Sequence, residues 1–260
     1  MKILKIFAIA DNPFKYNYHI NYGVWDKIPG DSEILETFGA NLNDYDTVFL
    51  PMYSRWIGNE KLLDTIKNHK IRKVLFDNDS CYRSFDDPFY DGIDHIFYRC
   101  PDKHGKTKGS HLIWSVDTRR MTPVYGGCGV AFSCSMIGYP LRKEIDKHIA
   151  HTREIGIDYI ERLQSSAAAI HTNSKTTDVT RAKVLEFAAC GTQIISNRTP
   201  DMGLYFPDDL ITYFDTVEEL IDIVRDFKAN IDTQKKLRQI VEERHTDQIR
   251  ATQIIEKLCE

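Results

Sequence analysis

The chain has 260 residues, of which 42% are hydrophobic and 28% charged. This is the composition of an ordinary globular protein with one large or two small domains. With a net charge of −4 the chain has no overall positive field that would attract nucleic acid or anionic lipid, so any such partner would have to bind at a local basic patch. Six cysteines without a Cys-x2-Cys pair favour buried free thiols over a disulfide framework or a zinc site. Because the N-terminal apolar run is short and charged, we predict no signal peptide and a cytoplasmic location.

Short apolar runs in the first half of the chain predict buried strands, separated by helical patterns. The predicted strands are Ile3–Ala10, Thr47–Leu50, Lys73–Phe76, His95–Tyr98 and Leu112–Trp114. The predicted helices are Ser32–Ala40 and Glu60–Asn68. Strands that alternate with helices indicate a parallel sheet with crossover connections.

A break in the pattern follows at Met121–Gly129, where three glycines and a proline predict a hinge. Beyond it the same alternation resumes. The predicted strands are Val130–Cys134, Ala167–His171, Gln193–Ser196 and Leu210–Tyr213. The predicted helices are Leu141–His151, Asp158–Ser165, Val179–Cys190, Val217–Lys228, Thr233–Arg244 and Thr246–Leu258. We therefore predict an α/β protein with two Rossmann-like domains, residues 1–122 and 123–245, and a closing helix in 246–260 that packs on the N-terminal domain.

The most informative stretch runs from Asp178 to Thr192 and predicts a polar loop, a helix that carries Glu186, and a glycine before a buried strand. Two carboxylates eight residues apart suit a ligand with sugar hydroxyls and a diphosphate. The carboxylates accept hydrogen bonds from the hydroxyls, while the N–H groups of the helix start face the phosphates. A solvated surface glutamate is the plain alternative for Glu186. Its apolar neighbours Leu185 and Phe187 argue against that alternative.

This stretch resembles the Glu-x7-Glu element of group 1 glycosyltransferases, with Asp178 and Glu186 in the two acidic positions. Three further segments resemble the CgeB-like branch of that group. They are the Ala-Ala-Cys-Gly-Thr that ends at Thr192, the Tyr-Pro-x-Arg at 139–142, and the strand and loop at 194–200. The resemblance implies a GT-B fold with two parallel sheets that face each other across a cleft. It also implies a nucleotide-sugar donor in the C-terminal half, an acceptor in the N-terminal half and no obligatory metal.

The chain departs from that pattern where many group 1 enzymes have glycines, because Val179-Thr180-Arg181 stands there. We therefore expect basic side chains to replace main-chain contacts with the diphosphate. The predicted donor-binding residues are those of the acidic element and those at the ends of predicted strands and helices. They are Glu186, Asp178, Arg181, Lys183, Arg142, His171, Thr180 and Arg198.

Catalysis with inversion would need a base in the N-terminal half, for which the candidates are His19 and, at the ends of predicted strands, Asp11, Asp77 and Asp79. The acceptor alternatives are a saccharide, a protein, a small molecule and a hydroxymethylated base in viral DNA. For DNA, the basic run with Lys103, Lys106 and Lys108 would contact phosphates. A nucleotide-sugar epimerase or hydrolase, and a non-catalytic nucleotide-binding module, are the alternatives to transfer.

Overall fold

The computed structural model describes residues 1–7, 24, 27–34, 37–50, 59–77, 88–98, 109–133, 139–154, 156–173 and 180–260. These residues form two compact units. The first contains residues 1–7 and the described part of Ile28–Ile113, and the second contains Val24, Lys27 and the described part of Trp114–Glu260. Residues 114–122, which the sequence analysis grouped with the first domain, are thus grouped with the second unit.

The first unit is built on a six-stranded parallel sheet in the order β2-β1-β3-β4-β5-β6. Its strands are β1 (Ile3–Phe7), β2 (Asp31–Ile34), β3 (Thr47–Leu50), β4 (Arg72–Asp77), β5 (His95–Tyr98) and β6 (Gly109–His111). Every neighbouring pair is parallel. The central strands are short apolar runs because a parallel sheet is covered on both faces.

Helix α1 (Glu60–Asn68) connects β3 to β4 in this unit. Its apolar residues recur with helical spacing, so Leu63 and Ile66 share one face and are buried in the core of the sheet. Lys67 in the last turn complements the negative end of the helix dipole. Asp77 ends β4 and is fully buried at the carboxyl edge of the sheet.

The second unit contains a four-stranded parallel sheet in the order β10-β9-β8-β7. Its strands are β7 (Val130–Ala131), β8 (Ala168–His171), β9 (Gln193–Asn197) and β10 (Ile211–Phe214). Its helices are α2 (Pro140–Asp146), α3 (Ile157–Ser165), α4 (Lys183–Ala189), α5 (Val217–Asp226), α6 (Ile231–Arg244) and α7 (Asp247–Cys259). From β7 to α5 the strands and helices follow the order that the sequence predicts, with two helices between β7 and β8 and none of the α-helices between β9 and β10.

Local capping explains where the three C-terminal helices begin. The side chains of Thr216, Asn230 and Thr246 accept hydrogen bonds from the backbone N–H groups three residues later, at the starts of α5, α6 and α7. Each cap satisfies a donor that the first helical turn leaves without a partner. The segment before α7 also forms a parallel bridge between Val116 and Thr246, within the second unit.

Helix α4 is the most deeply placed helix of the second unit, with every residue from Val184 to Ala189 buried. It ends at Ala189, and Gly191, two residues later, has a φ of +79°, in the left-handed region that favours glycine. A Cβ there would also lie 2.7 Å from the Val124 carbonyl oxygen. Gly191 therefore lets the chain turn from the buried helix directly into β9.

The structure confirms the predicted α/β class with two parallel sheets, but two predicted elements in the first half are wrong. The segment predicted as a helix over Ser32–Ala40 begins with strand β2, which pairs with β1 at the sheet edge. The strand predicted at Leu112–Trp114 is displaced, because β6 ends at His111. Both edge strands are polar, so hydrophobic runs do not reveal them. Across the described residues, no helix has the length and apolar character needed to cross a membrane.

Candidate functional site

Three basic side chains converge around the carboxyl end of β8 in the second unit. Arg142 belongs to α2, Arg181 lies in the segment before α4, and Lys183 is the first residue of α4. The positive charges of all three side chains act on His171, the last residue of β8. Burial, followed by the charges of the three cations, lowers the pKa of His171 to about 3. The imidazole is therefore neutral at physiological pH, and the local field favours an anion.

His171 is fixed by hydrogen bonds at both of its ring nitrogens. Its Nε2 accepts a hydrogen bond of 3.3 Å from the Arg181 backbone N–H. The proton of the neutral ring is then on Nδ1, which donates to the Ser196 hydroxyl at 2.9 Å. The Ser196 hydroxyl in turn donates to the Asn197 carbonyl at 2.7 Å. His171 thus holds the main chain at Arg181, and protein partners occupy both of its ring nitrogens.

Arg142 is anchored to the residue that follows β8. Its Nε donates to the Thr172 hydroxyl at 2.7 Å, and its Nη2 donates to the Thr172 carbonyl at 3.0 Å. The guanidinium carbon also lies 4.9 Å from the centre of the Tyr139 ring. Pro140 opens α2 two residues before Arg142, and its fixed φ suits the first helical position. The cation is therefore held in place before any ligand arrives.

The segment before α4 is fixed by Asp201, which the sequence analysis did not select. Its Oδ1 accepts hydrogen bonds of 2.7 Å from both the backbone N–H and the hydroxyl of Thr180. The Trp114 indole N–H donates to the Thr180 carbonyl at 3.1 Å. Thr180 is fully buried, so it sets the course of the main chain that leads to Arg181.

These contacts correct the predicted start of the helix. We predicted a helix from Val179 whose first N–H groups face the diphosphate. The structure begins α4 at Lys183, after a segment in which the N–H groups of Thr180 and Arg181 donate to Asp201 and His171. The N–H groups of Thr180 and Arg181 thus have protein acceptors, whereas the approach of the helix start to a diphosphate stays a prediction. The positive charge comes from side chains, as the missing glycines indicate.

Glu186 lies one turn into α4, with 8% of its surface exposed. Its Oε2 accepts a hydrogen bond of 2.8 Å from the hydroxyl of Tyr159, a buried residue of α3. Burial raises the pKa of Glu186, while Lys183 and the Tyr159 hydroxyl act in the opposite direction. Tyr159 gave no signal in the sequence, because an aromatic residue on an amphipathic helix is usually part of the core.

The other predicted site residues have partners that do not belong to this group, or they lie outside the described part of the chain. Arg198 is exposed at the end of β9, 4.4 Å from the Tyr213 ring centre and 3.8 Å from the Asp215 carboxylate. Asp77 belongs to the first unit, where its buried carboxylate accepts a hydrogen bond from the Tyr90 hydroxyl. Outside the described residues lie Asp178, Asp11, His19, Asp79, Lys103, Lys106 and Lys108. Within the described ranges, no three His, Cys, Asp or Glu side chains are grouped to hold a metal ion.

Comparison with known protein families identifies the class of this site. The model of the family described as "Glycosyl transferase-like" matches residues 119–256, which is more than half of the chain. The chain belongs to this glycosyl transferase-like family. The matched residues include both the cationic group and Glu186. The family confirms the predicted class of enzyme, a glycosyltransferase.

Solved structures show how widely the fold of this glycosyltransferase is shared. T4 phage BGT in complex with its UDP-glucose substrate has a TM-score of 0.65 and 12% identity, covering 99% of both chains. HepE from Anabaena, in complex with UDP, has a TM-score of 0.64 and 10% identity, covering 100% of both. Sucrose-phosphate synthase from Thermosynechococcus elongatus has a TM-score of 0.58 and 10% identity, covering 83% of this chain and 73% of its own.

These likenesses are at the level of fold, since all three identities are low. They agree with the predicted GT-B fold. A search of curated proteins found no match. The prediction of a group 1 glycosyltransferase is supported by the family and the fold, whereas the CgeB-like branch stays a prediction.

Proposed function

We propose that the second unit binds a uridine diphosphate sugar, with Glu186 at the ribose and the three cations at the diphosphate. The observation that carries the proposal is the placement of a buried carboxylate beside Lys183, within a group of cations anchored by hydrogen bonds. A carboxylate accepts hydrogen bonds from hydroxyl groups, and fixed cations match a diphosphate. UDP is the proposed nucleotide because T4 phage BGT and HepE, which share the fold, were solved with UDP-glucose and UDP.

In the proposed reaction, an acceptor hydroxyl attacks the anomeric carbon of the sugar, and its proton passes to a base of the protein or to the leaving diphosphate. The bond between that carbon and the diphosphate oxygen breaks, and UDP leaves with both electrons of the bond. Arg142, Arg181 and Lys183 stabilise the negative charge that develops on the leaving diphosphate. His171 and Thr180 do not contact the donor in this scheme. They position Arg181 through its backbone N–H and the preceding peptide.

The first unit is proposed to bind the acceptor and to supply a base where the outcome is inversion. Asp77 is the described candidate, because it lies at the carboxyl end of a central parallel strand, where the sites of such sheets are found. Asp11 and Asp79 are proposed with it on their sequence positions alone. Asp178 and Arg198 stay proposed donor contacts on the same basis.

No obligatory metal is part of the proposal, since Arg142, Arg181 and Lys183 are proposed to offset the charge of the diphosphate. T4 phage BGT has also been solved with UDP and Mn²⁺. A divalent ion would add charge to the same diphosphate, and the residues described here would still hold the ribose and orient the cations.

Glu186→Gln tests the proposed ribose contact. The amide keeps the shape of the side chain but loses a charge-assisted acceptor, which contributes roughly 1.5–3 kcal/mol. We expect UDP to bind at least about tenfold more weakly, measured by isothermal titration calorimetry, with the melting temperature changed little. Asp158→Asn, at an exposed acid in the first turn of α3, is the matched control. Equal UDP affinity in Glu186→Gln and the parent would make Glu186 a structural residue.

Hydroxymethylated DNA is the acceptor that we propose to test first. The support is the likeness in fold to a DNA-modifying β-glucosyltransferase over 99% of both chains, together with the basic run that contains Lys106. We expect hydroxymethylated duplex DNA to bind with an affinity that falls steeply with salt, and Lys106→Glu to flatten that dependence. Binding that is absent or independent of salt would leave a saccharide, a protein or a small molecule as the acceptor.

A further inference from the structure

Tyr159 contacts both kinds of group in the proposed donor site. Its hydroxyl donates to Glu186 Oε2 at 2.8 Å, and its ring centre lies 5.5 Å from the Lys183 ammonium. The tyrosine is itself buried, with 6% of its surface exposed. One rigid side chain from α3 thus sits against the carboxylate and against the cation of α4.

The hydrogen bond from Tyr159 makes the two carboxylate oxygens of Glu186 different from each other. Oε2 has the Tyr159 hydroxyl as its partner, whereas Oε1 accepts no hydrogen bond from the described residues. Oε1 is therefore the atom left to accept from a ligand. The Lys183 ammonium is held in turn between the Tyr159 ring and the Ser133 carbonyl, to which it donates at 2.7 Å.

We propose that Tyr159 is a positioning residue that fixes Glu186 so that Oε1 accepts a ribose hydroxyl, which makes the site selective for ribonucleotides. The proposal rests on the donor site proposed above. It goes further by assigning nucleotide selectivity to a residue that does not touch the nucleotide. Without the tyrosine hydroxyl, Glu186 could rotate and pair with Lys183, and the acceptor atom would no longer be presented to the ribose.

The protonation of Glu186 offers a second way to detect this role. The titratable groups that face it are Lys183 of its own helix, Cys190 directly after that helix and Tyr159 of α3, while Arg238 of α6 acts on Cys190. Burial raises the pKa of Glu186, and the Tyr159 hydrogen bond is one of two influences that lower it. Removing the hydroxyl should raise that pKa further. Because the ribose contact needs the ionised carboxylate, UDP affinity should then be lost at a higher pH than in the parent.

Tyr159→Phe, titrated with UDP and with 2′,3′-dideoxyuridine diphosphate, tests the proposal. The parent should prefer UDP. The variant should bind UDP about tenfold more weakly, as expected for a lost hydrogen bond to a charged group. It should bind the dideoxy compound as the parent does, because that ligand lacks both hydroxyls. Tyr45→Phe is the matched control, since the Tyr45 hydroxyl donates to the Asp31 carboxylate at 2.9 Å in the first unit.

The double variant with Glu186→Gln separates this inference from the proposed function. Once Glu186 is neutral, Tyr159→Phe should have little further effect on UDP affinity. If Glu186→Gln weakens UDP binding but Tyr159→Phe does not, the donor site stands and the role of Tyr159 is wrong. Equal losses for UDP and the dideoxy compound would make Tyr159 merely structural. A parent protein that binds neither compound would overturn both proposals.

Discussion

Replacing Lys183 by methionine is expected to weaken UDP binding about a hundredfold, the largest effect of any single change in the proposed site. Two losses add up in this variant. The diphosphate loses the ammonium that is proposed to pair with it, and Glu186 loses the positive charge that offsets its own. Each charge-assisted contact contributes roughly 1.5–3 kcal/mol, and about 1.4 kcal/mol corresponds to a factor of ten. Methionine keeps much of the length and apolar surface of the lysine stem, so the packing against Tyr159 should be retained.

A series of ligands shows whether the lost affinity belongs to the diphosphate. Calorimetric titrations of Lys183→Met should show the largest loss for UDP, a smaller loss for UMP and the smallest loss for uridine. Lys143→Met, at an exposed lysine next to Arg142, should bind all three ligands like the parent. A loss of the same size for uridine and UDP would place Lys183 at the nucleoside and contradict the proposed arrangement.

The cationic group could be predicted in part from the sequence because its members follow strands or begin helices. The short strand before His171 is apolar, and the carboxyl ends of parallel strands are where such sheets bind ligands. Arg181 and Lys183 flank the start of the acidic helix. What the sequence does not contain is the partner of each residue. Tyr159 and Glu186 are 27 positions apart, and no local pattern distinguishes this tyrosine from an ordinary core aromatic.

The wrong predictions have a common physical cause, which is that local pattern is overridden by tertiary contacts. Strand β2 has the sequence Asp-Ser-Glu-Ile, with little strand propensity of its own, and it forms because β1 offers an unpaired edge. The helix predicted from Val179 starts at Lys183 instead, and Thr180 before it is held in a non-helical course by its hydrogen bonds to Asp201, from a distant loop. In both places the sequence suggests a helix, and long-range contacts give a different local structure.

Two buried histidines make the second unit sensitive to acid. His171 and His245 each have 2% of their surface exposed. For His245, burial, followed by the charge of Arg250, lowers the pKa to about 4, although its hydrogen bond with the Tyr205 carbonyl acts in the opposite direction. For His171 the corresponding pKa is about 3. Both rings are therefore neutral in the folded protein at pH values where an unfolded chain, with a histidine pKa near 6.5, already binds protons.

Lowering the pH from 7.5 to 4.5 is accordingly expected to reduce the free energy of unfolding by several kcal/mol. The contribution of these two histidines is fully present above about pH 6.5, and it is lost as the pH falls toward the folded-state pKa values, by about 1.4 kcal/mol per pH unit for each histidine. Over the two units below pH 6.5 this amounts to roughly 5 kcal/mol, comparable with the whole stability of many domains. Glu186 acts in the opposite direction, because its raised pKa lets the folded protein take up a proton first.

Urea denaturation at pH 7.5, 6 and 4.5 measures this loss, and glutamine variants assign it. His171→Gln combined with His245→Gln should be less stable than the parent at pH 7.5, since two fitted rings are removed. Its stability should nevertheless fall less between pH 6 and pH 4.5, because the unfolded chain has two fewer groups that take up protons. His148→Gln, at a side chain that is 46% exposed, should retain the pH dependence of the parent. If the free energy of unfolding falls equally with pH in the parent and the double variant, other groups cause the acid sensitivity. Protonation of these two rings would then not limit the stability of the proposed donor-binding unit.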